Sequence, residues 1–216
     1  MTLTLYESIQ RIVQEELGRV RTAELAVVQD IHPHASASDQ DNYACTIVLR
    51  NSGIVLKHVP VATDRIGSVS IPAANELVLV QFVGGDLNAP VITGRLYNDQ
   101  DRPPESDAGQ AVVHLPLGAA DDDAVHLELT SNGTREVVLK LGKGLSLEVR
   151  DDDPVVKLEI DGGKATLEIA RDGAVKLVSQ GDLQLEGNKL TLKAQSDLSI
   201  EAGGTAKLKG ATVNIN

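Results

Sequence analysis

The chain has 216 residues and a formal net charge of −11, which argues against nucleic acid as a partner, because phosphate binding needs clustered Lys and Arg. Apolar content is an ordinary 42%, but aromatics make up only 2%, and Tyr6, Tyr43, Phe82 and Tyr97 all precede residue 100. The second half must therefore pack with aliphatic and small side chains, which suits a narrow repetitive core and suits a large globular one poorly.

The first element is a helix over residues 4–18. Leu5, Ile9, Ile12, Val13 and Leu17 form one apolar stripe at helical spacing. Thr4 and Glu7 have capping-box spacing, and Gly18 is a stop signal. A helix of this length is marginal alone, so its stripe must rest on another surface. Residues 1–10 lack the basic-then-apolar order of a secretory signal. The expectation is synthesis in the cytoplasm, with export only inside something larger. No stretch approaches the ~18 apolar residues of a transmembrane helix.

Residues 21–98 read as a small all-β domain, with candidate strands at 26–29, 43–50, 54–62, 65–71, 77–83 and 91–97. Turn-formers separate them, among them Asn51-Ser52-Gly53, Pro72 and Gly84-Gly85-Asp86. Five or six short strands in this length imply a small closed barrel, of which the OB-fold is the commonest. The lone cysteine, Cys45, excludes an intrachain disulfide and reads as a small core residue.

Chemistry is sparse. His32-Pro33-His34 could place two rings on one face of a strand. Ser and Asp residues flank it, and no other His or Cys is near in sequence. The expectation is a solvated loop, with no metal site and no cofactor. No G-x-S-x-G elbow occurs, Gly142-Lys143-Gly144 lacks phosphate-loop spacing, and the Asp runs at 121–123 and 151–153 lack a calcium-loop pattern. No catalytic residue is assigned and no enzyme is expected.

Residues 99–124 change character. Pro103-Pro104 and dense charge mark a linker. From Val125 strict alternation takes over and continues through 216, with Gly and Asp corners. Over the last forty residues the period is eight: Leu190, Leu198 and Ala206 align, as do Leu192, Ile200 and Leu208. One short strand and one corner per unit cannot close a core alone. Three chains around one axis would supply the missing walls, so 125–216 reads as an intertwined trimeric β-helix, a β-prism rod. Its inward core would include Leu190, Leu192, Leu198, Ile200 and Leu208. Residues 189–216 carry four Lys against Asp197 and Glu201, which leaves this end less acidic than the rest. The fold expected is all-β: an N-terminal helix (1–20), an OB-fold-like barrel (21–98), a linker (99–124) and the rod (125–216).

The run GGDLNAPVITGRLYNDQDRPP at 84–104 resembles the end of the OB-fold in spike proteins of contractile phage tail baseplates. The tips of type VI secretion systems, the VgrG type, share the pattern. The matching positions are Gly85, Asp86, Pro90, Gly94, Leu96, Tyr97 and Asn98, followed by Pro103-Pro104. The size is similar to the short baseplate assembly protein V members. The resemblance implies a homotrimeric, membrane-piercing spike assembled into a phage virion or injection particle. Baseplate hub and inner tube would sit at the OB end. A PAAR-type tip protein would dock on the other end, at Val213, Asn214, Ile215 and Asn216. Some large members insert a lysozyme where this chain has only 99–124. Some short members hold an ion at the tip with a His-x-His pair, whereas the last His here is His126. The alternative reading is a trimeric tail fibre or receptor-binding protein. It would call for an aromatic or loop-rich distal head, and no aromatic follows Tyr97. A single-chain β-solenoid enzyme would show a longer period.

Overall fold

A computed structural model describes residues 4–19 and 21–214, apart from the side chains of Leu17 and Arg19. Helix α1 spans Leu5–Arg19. The capping box forms as its sequence dictates: the Thr4 backbone N–H donates to Glu7 Oε2 at 2.7 Å, and the Glu7 N–H donates to Thr4 Oγ1 at 3.3 Å. These bonds, the backbone one foremost, hold the Glu7 carboxyl below the usual glutamate range. Leu5, Tyr6, Ile9, Ile12 and Val13 are all exposed, so the described part of the stripe is left uncovered within one chain; the side chain of Leu17 lies outside the described residues.

The first sheet contains β1 (Ala23–His32), β2 (Ala44–Leu49), β3 (Val55–Pro60), β4 (Leu77–Phe82) and β5 (Pro90–Leu96), in the order β3-β2-β1-β4-β5, with every pair antiparallel. A parallel bridge between Val61 and Ile92 brings the two edge strands together, and the Ala62 N–H donates to Ile92 O at 2.8 Å. The sheet thus closes on itself and leaves no long free edge. Its core is Ala26, Val28, Cys45, Ile47, Leu49, Val59, Val78, Val80, Phe82 and Ile92. Cys45 is fully enclosed, and burial raises its thiol pKa.

The strand expected at 65–71 does not form. Gly67 takes a positive φ of 95°, Ile66 and Val69 are exposed, and the segment is a loop. Polar bonds replace a ladder: Thr63 Oγ1 donates to Ser68 O at 3.0 Å, and the Ser70 N–H donates to Tyr43 Oη at 2.7 Å.

The second sheet is a seven-stranded antiparallel meander: β6 (Gln110–Leu115), β7 (Val125–Thr130), β8 (Glu136–Leu141), β9 (Leu145–Arg150), β10 (Val156–Ile160), β11 (Ala165–Ile169) and β12 (Val175–Ser179). Strand β6 lies inside the stretch read as linker. It pairs with β7 from Gln110↔Thr130 to Leu115↔Val125, so the sheet begins before Val125. Each strand pairs with its sequence neighbours in the same chain. Strands β7 to β11 thus find both partners within one chain, which differs from the intertwining expected from Val125 onward. Short polar corners make the local hairpins possible. No strand forms among residues 180–214.

Candidate functional site

The register of the meander sorts its side chains into two unlike faces. On one face Val113, Leu127, Leu139, Leu147, Leu158, Leu167 and Leu177 lie in a single row across all seven strands. A parallel row starts at Leu115 and Val125 and runs through Leu141, Leu145, Ile160 and Ala165 to Ser179. The third row runs through Ala111, Leu129, Val137, Val149, Val156, Ile169 and Val175. Only Ser179 interrupts an otherwise apolar face. Seven strands give it a length of about 28 Å and three rows a width of about 14 Å, roughly 400 Å² in plan. That is the scale at which an uncovered apolar patch marks an interaction surface.

The opposite face carries charge. Arg150 pairs with Glu148 and, at 3.5 Å, with Glu136; Lys157 Nζ meets Glu159 Oε2 at 2.7 Å; Lys176 lies 3.9 Å from Glu168. Opposite charges paired along and across strands suit a wet surface and contribute little to stability. The solvent side and the side that needs a partner are thus distinguished by chemistry.

Beyond Ser179 the apolar alternation continues without a sheet. Leu190, Leu192, Leu198, Ile200 and Leu208 are all exposed in one chain, Ile200 at 75% and Leu208 at 79%. None of these predicted core residues is brought against another by a strand. Polar neighbours still line up on one side: Gln184 Nε2 donates to Glu186 Oε1 at 2.6 Å, and Ser199 Oγ to Glu201 Oε1 at 3.3 Å. Both pairs are two residues apart, the spacing of an extended chain. Of the predicted docking end, Val213 and Asn214 are exposed, and Ile215 and Asn216 lie outside the described residues. The chain exposes 16,967 Å², whereas a compact monomer of 22.9 kDa would expose about 9,600 Å².

The residues of the run at 84–104 are turn-makers. Asp86 Oδ1 accepts from the Asn88 backbone N–H at 2.9 Å and the Ala89 N–H donates to Asp86 O at 3.0 Å, closing the turn between β4 and β5. Gly85 takes a φ of 78° just before it. Pro90 opens β5 opposite Phe82, and Gly94 lies opposite Leu79 beside a bulge that leaves Thr93 unpaired. Leu96 closes the ladder against Leu77. Asn98 Oδ1 accepts from the Gln100 and Asp101 backbone N–H groups at 2.7 and 2.9 Å, closing a turn just past β5. Tyr97 is exposed beside it. These positions shape the barrel's exit.

The His32-Pro33-His34 pair separates. His34 Nδ1 bonds Asp39 Oδ1 at 2.8 Å in the loop, while His32 turns to the barrel wall, stacks on His58 and lies near Asp41. Sequence distance hid that neighbourhood, because strand pairing creates it.

Five antiparallel strands closed by contact between the third and fifth define a barrel of the OB class. Residues 49–97 match a family model, the type VI secretion system/phage-baseplate injector OB domain. The match runs from the end of β2 to one residue past β5 and supports a structural place in a baseplate or injection particle. It covers less than a quarter of the chain and does not reach the meander or the tail. No curated protein matches the chain. Among the described residues no helix is long and apolar enough to cross a membrane.

Proposed function

We propose that this chain is the non-enzymatic central spike of a contractile injection machine or phage tail, built as a homotrimer. The observation that carries the reading is the three-row apolar face, continued past Ser179 by the eight-residue repeat. Covering one Leu, Ile or Val contributes roughly 1.5–3 kcal/mol, so an axis lined by three such faces would be held cooperatively. Backbone groups in 180–214 would find partners in the other two chains, since buried N–H and C=O groups require them. The OB barrels would face the hub and inner tube, and the rod would point to the target membrane. The end at Val213–Asn216 would seat a PAAR-type tip protein. Sheath contraction would concentrate force on that end, and stacked aliphatic layers would resist buckling.

The test is the solution mass by light scattering, with an expected value of three times 22.9 kDa. Ile200→Asp would bring three carboxylates to one axis and is expected to abolish the trimer. Deleting residues 211–216 is expected to keep the trimer and lose the tip protein. A folded, soluble monomer would overturn the reading, and an Ile200→Asp trimer of unchanged heat stability would overturn the inward assignment.

A further inference from the structure

We propose that His32, Asp41 and His58 form a binding site for a divalent transition cation, zinc by preference, on the wall of the barrel. One ligand atom from each residue lies within 4.8 Å of the other two. The residues come from three places: His32 ends β1, Asp41 sits in the loop joining β1 to β2, and His58 lies in β3. Two imidazoles and a carboxylate are a donor set that suits zinc, which binds N and O ligands at about 2.0–2.2 Å.

The local backbone is bent to bring these groups together. The β2–β3 register slips between Cys45 and Ile47, so Thr46 faces both Lys57 and His58. Such a bulge re-aims a side chain. At this bulge His58 takes a φ of 50°, a left-handed conformation that is strained for a residue other than Gly. Its ring thereby stacks on His32 with centroids 4.1 Å apart, and its Nδ1 lies 3.9 Å from Asp41 Oδ1.

A supporting partner is already in place. His32 Nε2 lies 2.9 Å from Thr46 Oγ1, and Thr46 is a buried polar residue of this barrel. In the tautomer whose Nε2–H donates to Thr46, Nδ1 carries the lone pair that can ligate a metal. Metal-binding histidines commonly anchor their second nitrogen this way. Tetrahedral ligation puts ligand atoms about 3.3 Å apart at such bond lengths, so binding draws the cluster inward. The near-parallel rings must also turn, because lone pairs lie in the ring planes. His58 is exposed and free to do so.

The experiment is calorimetric titration of the full chain with zinc chloride, repeated with cobalt chloride to read visible absorption of the bound ion. One ion per chain is expected. His58→Asn removes the imidazole and keeps a residue that tolerates positive φ, and circular dichroism confirms its fold. It and Asp41→Asn should each weaken binding at least as much as the roughly 10–100-fold typical of losing a supporting group. Thr46→Val should fall within that range, and His34→Ala should leave affinity unchanged. No saturable binding, or binding insensitive to His58→Asn and Asp41→Asn, would overturn the proposal. Binding lost with His34→Ala alone would place any ion in the loop and overturn it equally.

Discussion

At the scale of single residues, most polar side chains here shape corners. Asp86 and Asn98 close turns, and Asp151 ties the corner before β8 to the one after β9. Arg135 gives Asp151 two bonds, from its guanidinium Nε to Oδ2 at 2.6 Å and from its backbone N–H to Oδ1 at 2.9 Å. The guanidinium bond is the larger cause of an Asp151 carboxyl held below the usual aspartate range. A depressed folded value means the tie is present above the ordinary aspartate pKa and lost as pH falls through the folded one. We expect the Asp151 carboxyl carbon to titrate by NMR at a lower pH than a free aspartate. Arg135→Ala should raise it toward the ordinary range, the backbone bond remaining, and an unmoved midpoint would show that the guanidinium is a bystander.

At the scale of elements, the barrel stands on packing and the meander on pairing. Strand β2 lies between β1 and β3, and Ile47 on it is completely enclosed. Ile47→Ala should destabilise the barrel by about 2–5 kcal/mol, read as a lower urea midpoint for the barrel's tyrosine signal. The helix was legible from its stripe and capping box, and each strand from β7 to β12 from its alternation, because both signals are local. The strand expected at 65–71 failed because only Val69 and Ile71 keep a strand's alternation, Ile66 is out of phase with them, and Gly67 and Pro72 break the ladder on either side. Strand β6 was hidden by the charge and prolines ahead of it, although Ala111, Val113 and Leu115 alternate as the later strands do. The His32–Asp41–His58 cluster could not be read at all: it depends on the pairing of β2 with β3 and on a bulge with no sequence mark. The rows of the apolar face were visible as alternation, but which strand meets which follows only from the register.

At the scale of the whole molecule, one chain divides into a part that covers its own apolar surface and a part that does not. The barrel closes through Val61 and Ile92 and buries its core unaided. The meander presents one dry and one wet face, and the tail presents residues without a sheet. The difference extends to time. In the meander every strand pairs only with its neighbour in sequence, so its hairpins are short loops to close and form quickly. On the proposed trimer, covering the dry face requires chains to meet, and that step is bimolecular or higher in order. Refolding by dilution should therefore show a barrel phase whose rate ignores protein concentration and a later rod phase that quickens with it. Two phases equally indifferent to concentration would mean that the chain completes its rod alone. On the proposed trimer, by contrast, a cell making this protein would have to keep nascent copies close together, because an isolated rod would wait with its adhesive side open.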